Sequence, residues 1–128
     1  MQDLNGREIE VGNYIVYPAL WSRSAILKFG KVVKINPLTI DKYGSAKPET
    51  ISMLGVEYQS YEKDIKFIPN QTISALKFDY RLMVIDASAI NLEAKKLLDA
   101  MWDVYKNNGK WKLAWDEISE FAKKVKNS

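Results

Sequence analysis

The residues of this chain that could carry out chemistry are carboxylates, lysines, tyrosines and hydroxyl groups, because its 128 residues include neither histidine nor cysteine. That absence excludes Ser-His-Asp and Cys-His nucleophilic catalysis, structural zinc sites and haem ligation by histidine. No glycine-rich pattern for binding phosphate occurs either. The sequence therefore predicts a protein that is not an enzyme and that carries no cofactor.

Carboxylates are the remaining candidates for metal binding or acid–base chemistry. Asp99 and Asp103 are four residues apart, so they share one face of a predicted helix, where like charges repel mildly. No D-x-D loop followed by glycine surrounds them. We interpret them as part of a solvated helix face, and Asp79 beside Arg81 as a surface ion pair. The full acidic set is Asp79, Asp86, Asp99 and Asp103.

Aromatic and basic residues of the N-terminal third form the candidate surface for binding a partner. Trp21 follows Pro18 in a predicted loop, and beside Arg23 it could stack on a nucleic-acid base or fill a pocket of a partner protein. The alternatives are that Trp21 folds back as a lid and that the lysines line a solvated strand. The set consists of Tyr14, Tyr17, Trp21, Arg23, Lys28, Lys31 and Lys34.

Three tryptophans near the C-terminus are interpreted mainly as core residues. Trp111 and Trp115 fall on one apolar helical stripe, so we expect both to be buried and Trp115 to be essential for folding. Leu113 points away from that stripe and is expected to be exposed. Trp102 is rotated by about 80° from the stripe of its own helix, taking 100° per residue. It is therefore predicted at the rim, as a further partner-binding candidate.

Composition limits the kind of protein and the kind of partner. The net charge is +3, from 19 basic and 16 acidic residues, and no segment forms a basic block. Nucleic acid is therefore permitted as a partner without being indicated. No apolar run is long enough for a membrane span, and the polar start does not resemble a signal peptide. We expect a cytoplasmic protein, in the host cytoplasm if it is viral, with no membrane partner.

The first 86 residues read as five to six short strands separated by turns. Pro18 is expected to end one of them, and Leu82–Ile85 is expected to be a central strand because it is continuously apolar. Val32 and Ile35 differ in parity, which predicts a bend or bulge at Gly30; Gly55 is a second candidate. The predicted strands are residues 7–10, 14–17, 26–35, 51–58, 65–68 and 82–85, and Leu38 and Ile40 could add a short one.

After residue 86 the apolar pattern changes to a helical period. Asn91 is a plausible N-cap and Gly109 a left-handed C-cap of a first helix. A second helix carries the apolar stripe from Trp111 to Val125. The predicted class is α+β: a small, strongly bent β-barrel in residues 1–86 and a helical hairpin in residues 91–126 packed against it. Residues 1–128 are expected to form a single domain.

Gly12, Val16 and the segment GKVVKI from Gly30 to Ile35 resemble barrels of the KOW and Src-homology-3 type. Asn13 stands where such barrels commonly have an acidic residue. The segment DLNGREIEVGNYIVY is also similar to the opening of many short phage-encoded proteins. The resemblance covers roughly residues 3–35 and implies a binding module, since KOW-type barrels elsewhere contact RNA, ribosomes or RNA polymerase.

These observations favour a non-catalytic binding protein. The preferred hypothesis is a phage-type accessory protein that binds and modulates a host protein, which can be part of a nucleic-acid-processing complex. The alternative is a nucleic-acid-binding module that uses the barrel surface, and a third class is a self-assembling structural protein. The sequence leaves the oligomeric state open.

Overall fold

The structure, a computed structural model, describes residues 2–21, 24–77 and 82–128, and for residues 19–21, 24–27 and 77 it describes the backbone alone. Within these ranges eight strands precede two C-terminal helices, so the α+β class is confirmed. The strands are β1 Tyr14–Trp21, β2 Ser24–Asn36, β3 Thr39–Ile40, β4 Ala46–Lys47, β5 Thr50–Tyr58, β6 Phe67–Pro69, β7 Ser74–Lys77 and β8 Met83–Ile85. The helices are α1 Leu92–Asn108 and α2 Ile118–Lys126.

Six of these strands form an antiparallel sheet in the order β6-β5-β2-β1-β8, with β7 pairing to β5. Strands β3 and β4 form a separate hairpin. The described pairings leave the path open at β6 and β8, so closure into a barrel stays a prediction. Strand β8 lies at an end of this path and not at its centre, which corrects the prediction from its apolar run. The run is apolar because Val84 packs into one core while Ile85 packs against the other.

Strand β1 continues through Pro18 to Trp21, so the prediction that Pro18 ends a strand is wrong, and residues 19–21 and 24–25, expected in a loop, belong to strands. Its last residues pair with the start of β2, up to Trp21 opposite Ser24. The described pairing of β1 with β8 ends at Val16. Within the described residues, Pro18 pairs with Leu27 of β2.

The irregularity predicted at Gly30 lies a few residues further along β2. The register with β5 shifts between Val32 and Lys34. This bulge puts Val32 and Ile35 against the same core, which explains their difference in parity. Gly30 and Gly55 instead face each other in regular pairing. A Cβ on Gly30 would lie 2.9 Å from Met53 Sδ and 3.1 Å from the carbonyl oxygen of Leu54, so crowding explains the glycine.

Two further strand predictions need correction. Residues 7–10 contribute only an isolated bridge between Gln2 and Glu8, whereas Ser74–Lys77, outside every predicted strand, form β7. β7 shares one edge of β5 with β6, because β6 pairs with the second half of β5 and β7 with the first. The sequence did not predict β7, because its four residues mix polar and apolar side chains without a clear alternation.

The sheet has an apolar core on each face. The first core lies between the sheet and both helices, and it includes Leu54, Phe67, Leu98 and Trp111. The second core lies on the opposite face, where the N-terminal segment contributes Ile9 beside residues of β1, β2, β5 and β8. The helices are therefore packed on the sheet, as predicted. No helix in the described ranges is long and apolar enough to cross a membrane.

The first helix has the predicted ends. Asn91 Oδ1 accepts hydrogen bonds from the N–H groups of Glu93 and Ala94, and Gly109 is left-handed at φ 72°. The second helix begins at Ile118, later than predicted. Residues 111–113 are extended instead, since Lys112 bridges to Thr72 and the N–H of Leu113 donates to the carbonyl of Gln71.

This later start reverses two of the burial predictions for residues 111–117. Trp111 is buried, and its Nε1–H donates to the carbonyl of Asn70 at 2.8 Å. Trp115 is 71% exposed in the turn before α2, so its predicted core position is wrong. Leu113 is half-buried against the first core, which is also contrary to the prediction. Helical spacing misplaced both residues because the segment that carries them is not helical.

Candidate functional site

Three of the predicted partner-binding residues meet where β1 and β2 pass under α1. Tyr14 and Lys31 are cross-strand partners in β1 and β2. Lys95, Asp99 and Trp102 are spaced by four and three residues, which places them on one face of α1. We call these five residues the Lys31 junction. It is built because the sheet face carrying Tyr14 and Lys31 packs against that helix face.

The ammonium group of Lys31 is at the centre of the junction. Its Nζ lies 3.1 Å from Asp99 Oδ1. It also lies 4.8 Å from the ring centroids of both Tyr14 and Trp102. Lys95 Nζ reaches the second oxygen of Asp99 at 3.0 Å, and the hydroxyl of Tyr14 donates to the first. One carboxylate thus receives three donors from two strands and a helix.

The electrostatics keep this carboxylate ionised. Partial burial alone would raise the pKa of Asp99, but hydrogen bonds from Tyr14, Lys95 and Lys31 outweigh it and hold the pKa below its ordinary value. Burial and the neighbouring Asp99 raise the pKa of Tyr14 above its ordinary value. Neither group changes its protonation near neutral pH. The junction is therefore suited to holding α1 on the sheet and to binding, and poorly suited to proton transfer.

Trp102 is the part of the junction that stays partly open. Its ring is half-buried and lies at 6.4 Å from the ring of Tyr105. The exposed Lys106 approaches the same ring, with Nζ 4.9 Å from its centroid. Two ammonium groups thus hold the indole in place, and its remaining surface faces solvent. This placement agrees with the predicted position at the rim.

The other predicted binding residues are spread over different places. Tyr17 is buried in the second core, so its ring is not available to a partner and the prediction for it is corrected. Lys28 forms an ion pair with Glu57 at 3.2 Å. Lys34 is exposed beside the bulge. The side chain of Trp21 and the whole of Arg23 lie outside the described residues.

The prediction of a solvated helix face missed the role of Asp99. The presence of Lys95 and Trp102 on the same helical face could have indicated an interaction site around Asp99. Its partners Tyr14 and Lys31, which lie on strands, could not be predicted from helix spacing. Asp103 is exposed as predicted, and Asp86 pairs with Arg7 at 3.0 Å. Asp79 lies outside the residues that the structure describes. In the ranges that the structure covers, no three acidic residues come together to hold a metal ion.

The fold and the junction define an α+β protein whose antiparallel sheet is clamped to a C-terminal helix. The chain belongs to the family described as a domain of unknown function, DUF7205, whose model matches residues 1–68. That match contains Tyr14 and Lys31 but neither helix. Comparison with curated proteins and with solved structures finds no match.

Proposed function

We propose that this is a non-catalytic binding protein that docks on another protein, with Trp102 as an anchor. The observation that carries the proposal is the contrast within the Lys31 junction. Its lysines are used internally by Asp99, while the indole of Trp102 keeps open surface. A fixed aromatic ring loses little entropy on binding and buries a large apolar area, which is typical of interface anchors.

The ion pairs in and near the Lys31 junction give less support to binding of nucleic-acid phosphates. Binding a nucleic-acid backbone requires several free cations whose counterions can be released. Lys31 and Lys95 share the carboxylate of Asp99, and Lys28 pairs with Glu57. In the described part of this surface, only Lys34 and Lys106 are exposed cations without a carboxylate partner. The positive charge around the Lys31 junction is therefore largely compensated by neighbouring carboxylates.

The biological setting of the proposal is a phage-type accessory protein in the cytoplasm of its host. The support is the resemblance of residues 3–35 to the opening of short phage-encoded proteins and to bent KOW or Src-homology-3 barrels. The host protein can belong to a nucleic-acid-processing complex. The absence of histidine and cysteine, and the engagement of both oxygens of Asp99 by Tyr14, Lys31 and Lys95, support binding without catalysis.

The test is capture of partners from a host lysate on the immobilised protein, with and without nuclease. Trp102→Ala is expected to lose captured protein, whereas Trp115→Ala, which removes an equally large but separate indole, is expected to retain it. Thermal melts of both variants establish that they are folded. Capture that survives Trp102→Ala in a folded protein rules out the anchor, and capture that disappears with nuclease rules out direct protein binding.

Nucleic-acid binding is the second candidate, because Lys106 stands beside the Trp102 ring as in stacking sites for bases. It predicts affinity for a single-stranded oligonucleotide that falls steeply, by about tenfold or more, between roughly 50 and 200 mM salt. A fluorescence titration at two salt concentrations distinguishes the candidates. Docking through an apolar anchor predicts a much smaller change.

A further inference from the structure

A second concave surface lies away from the Lys31 junction, where the start of α1 and the last turns of α2 meet β6. This groove encloses about 360 Å³. Its apolar residues come from all three elements, and Phe67, Leu97 and Ala122 at its floor are nearly inaccessible to solvent. A floor assembled from a strand and two helices is held by the first core, so the groove is a preformed feature of the fold.

The rim of the groove is positively charged. It carries Lys66, Lys96 and Lys126 against a single carboxylate, Glu93. Among the described residues, none of the three ammonium groups has an Asp or Glu carboxylate within ion-pair distance. Lys96 Nζ donates to the main-chain oxygens of Lys126 and Ser128, and Lys126 Nζ donates to that of Asp64, so both already have acceptors in the protein but no side-chain carboxylate. This is the reverse of the Lys31 junction, where a carboxylate is shared by two lysines.

The N-terminus of α1 does not itself supply the binding groups. Asn91 Oδ1 already accepts the N–H groups of Glu93 and Ala94, at 3.0 and 3.2 Å. The side chain of Glu93 is also engaged, since it accepts the main-chain N–H of Lys66 at 3.0 Å. Negative groups of a ligand would therefore meet the lysine side chains at the rim.

Leu92 adds an apolar edge to this charged rim. It lines the groove, yet 78% of it is exposed, an unusual degree for a leucine beside a buried floor. A ligand lying in the groove would cover Leu92 and the floor together. The surface thus combines apolar contact at its centre and one edge with cations around it.

We propose that this groove binds an acidic peptide segment of another protein. Bulky apolar side chains of the segment lie on Leu92 and Val125 above this floor, and its carboxylates meet Lys66, Lys96 and Lys126. Charge complementarity selects an acidic ligand, and the concave apolar floor favours inserted side chains over a phosphate backbone or a flat lipid surface. The proposal does not depend on the Trp102 anchor, because it uses another face of α1.

The experiment is a selection of random twelve-residue peptides, displayed on a carrier, against the immobilised full chain. We expect enriched peptides to combine Asp or Glu with at least one Leu, Ile, Phe or Trp. A synthetic copy of an enriched peptide is then titrated against the protein and against Lys66→Glu and Leu92→Asp. Both side chains are exposed, so both variants should melt like the unsubstituted chain.

We expect each variant to weaken peptide binding by about tenfold, through charge reversal at the rim or loss of apolar contact. The matched control is Lys47→Glu, an exposed lysine on β4 outside the groove, which should leave affinity unchanged. The proposal is overturned if no acidic peptide is enriched, or if Lys66→Glu and Leu92→Asp bind like the control. It is also overturned if anionic phospholipid vesicles, an oligonucleotide or a second copy of the chain occupies the groove in preference.

Discussion

At the scale of single residues, Asp3 is a buried carboxylate that accepts three main-chain N–H groups. It is only 6% exposed. Its Oδ1 accepts the main-chain N–H groups of Asn5 and Arg7, and its Oδ2 accepts that of Val84 at 2.8 Å. Burial alone would raise the pKa of Asp3, but these hydrogen bonds and Arg7 outweigh it and lower the pKa. Asp3 therefore ties the N-terminal turn to β8.

Replacing Asp3 by Asn should destabilise the protein by about 2–3 kcal/mol at neutral pH, because charge-assisted bonds to buried N–H groups are lost. A carboxyl whose pKa is lowered on folding stabilises the folded state above its unfolded value of about 3.9, and this contribution is lost as pH falls through the folded pKa. The difference in the free energy of unfolding between the unsubstituted protein and Asp3→Asn should thus become smaller below about pH 4. Urea denaturation of both proteins from neutral to acid pH measures this difference. A difference that does not change with pH would contradict the role of the Asp3 carboxylate in stability.

Position 30 requires glycine because neighbouring residues leave no room for a side chain. Because Met53, Leu54 and Ile15 crowd the position of a Cβ, Gly30→Val should cost about 2–4 kcal/mol. Lys34→Val on the same strand is the control, since Lys34 is exposed and should tolerate the change. Thermal melts compare the two. Equal melting temperatures for the Gly30 variant and the unsubstituted protein would mean that the strands can part to admit a side chain.

At the scale of elements, the segment between the helices decides the role of two tryptophans. Trp111 lies in an extended stretch, packs edge-on against Phe121 at 5.1 Å and donates to the carbonyl of Asn70. Trp115 lies in the next turn with most of its surface in solvent. Only the first of them joins α2 to the sheet.

Trp111→Ala should therefore destabilise the protein by about 3–5 kcal/mol, the usual cost of removing a large buried aromatic side chain. Trp115→Ala should change stability by no more than about 0.5 kcal/mol, as surface substitutions usually do. Chemical denaturation of the pair provides the measurement. A large loss for Trp115→Ala would show that its indole packs against the protein in solution.

The β3–β4 hairpin contributes no residue to either core, and local hydrogen bonds determine its shape. Asp41 Oδ1 accepts the N–H groups of Tyr43 and Ser45, and Gly44 has φ 82°. These bonds hold Tyr43 at the tip, where it is 81% exposed. The turn is ordered by its own side chain and presents an aromatic ring to solvent.

At the scale of the whole molecule, both helices share the first core with the sheet. Residues of α1 and α2 cover Leu54, Val56 and Phe67, so the sheet alone would expose one of its apolar faces. A fragment of residues 1–90 should consequently not fold cooperatively. It loses several buried side chains worth roughly 1.5–3 kcal/mol each, against a typical total stability of about 5–15 kcal/mol.

Circular dichroism during heating tests this expectation, with the full chain as the control. The full chain should show one transition, seen equally in the far-ultraviolet and in the tryptophan signal. A cooperative transition in the 1–90 fragment would instead divide the chain into two domains. It would contradict the single domain predicted from the sequence.

The features that the sequence alone determined are local ones. The ends of α1 followed from Asn91 and Gly109, because a cap depends on the residue itself and on the few amides beside it. Strands β2 and β5 followed from runs of β-branched and apolar residues. The exclusion of histidine- and cysteine-based chemistry needed only the composition.

The tertiary structure decided what depends on partners distant in sequence. Lys31 and Asp99 are 68 residues apart, so no local pattern could pair them. Trp115 is exposed because the extended residues before it pair with residues 71–72, and that pairing overrides their helical spacing. The bulge lies between Val32 and Lys34, and not at Gly30, since register is set by pairing with β5. Side-chain periodicity shows which residues share a face, but only packing determines what covers that face.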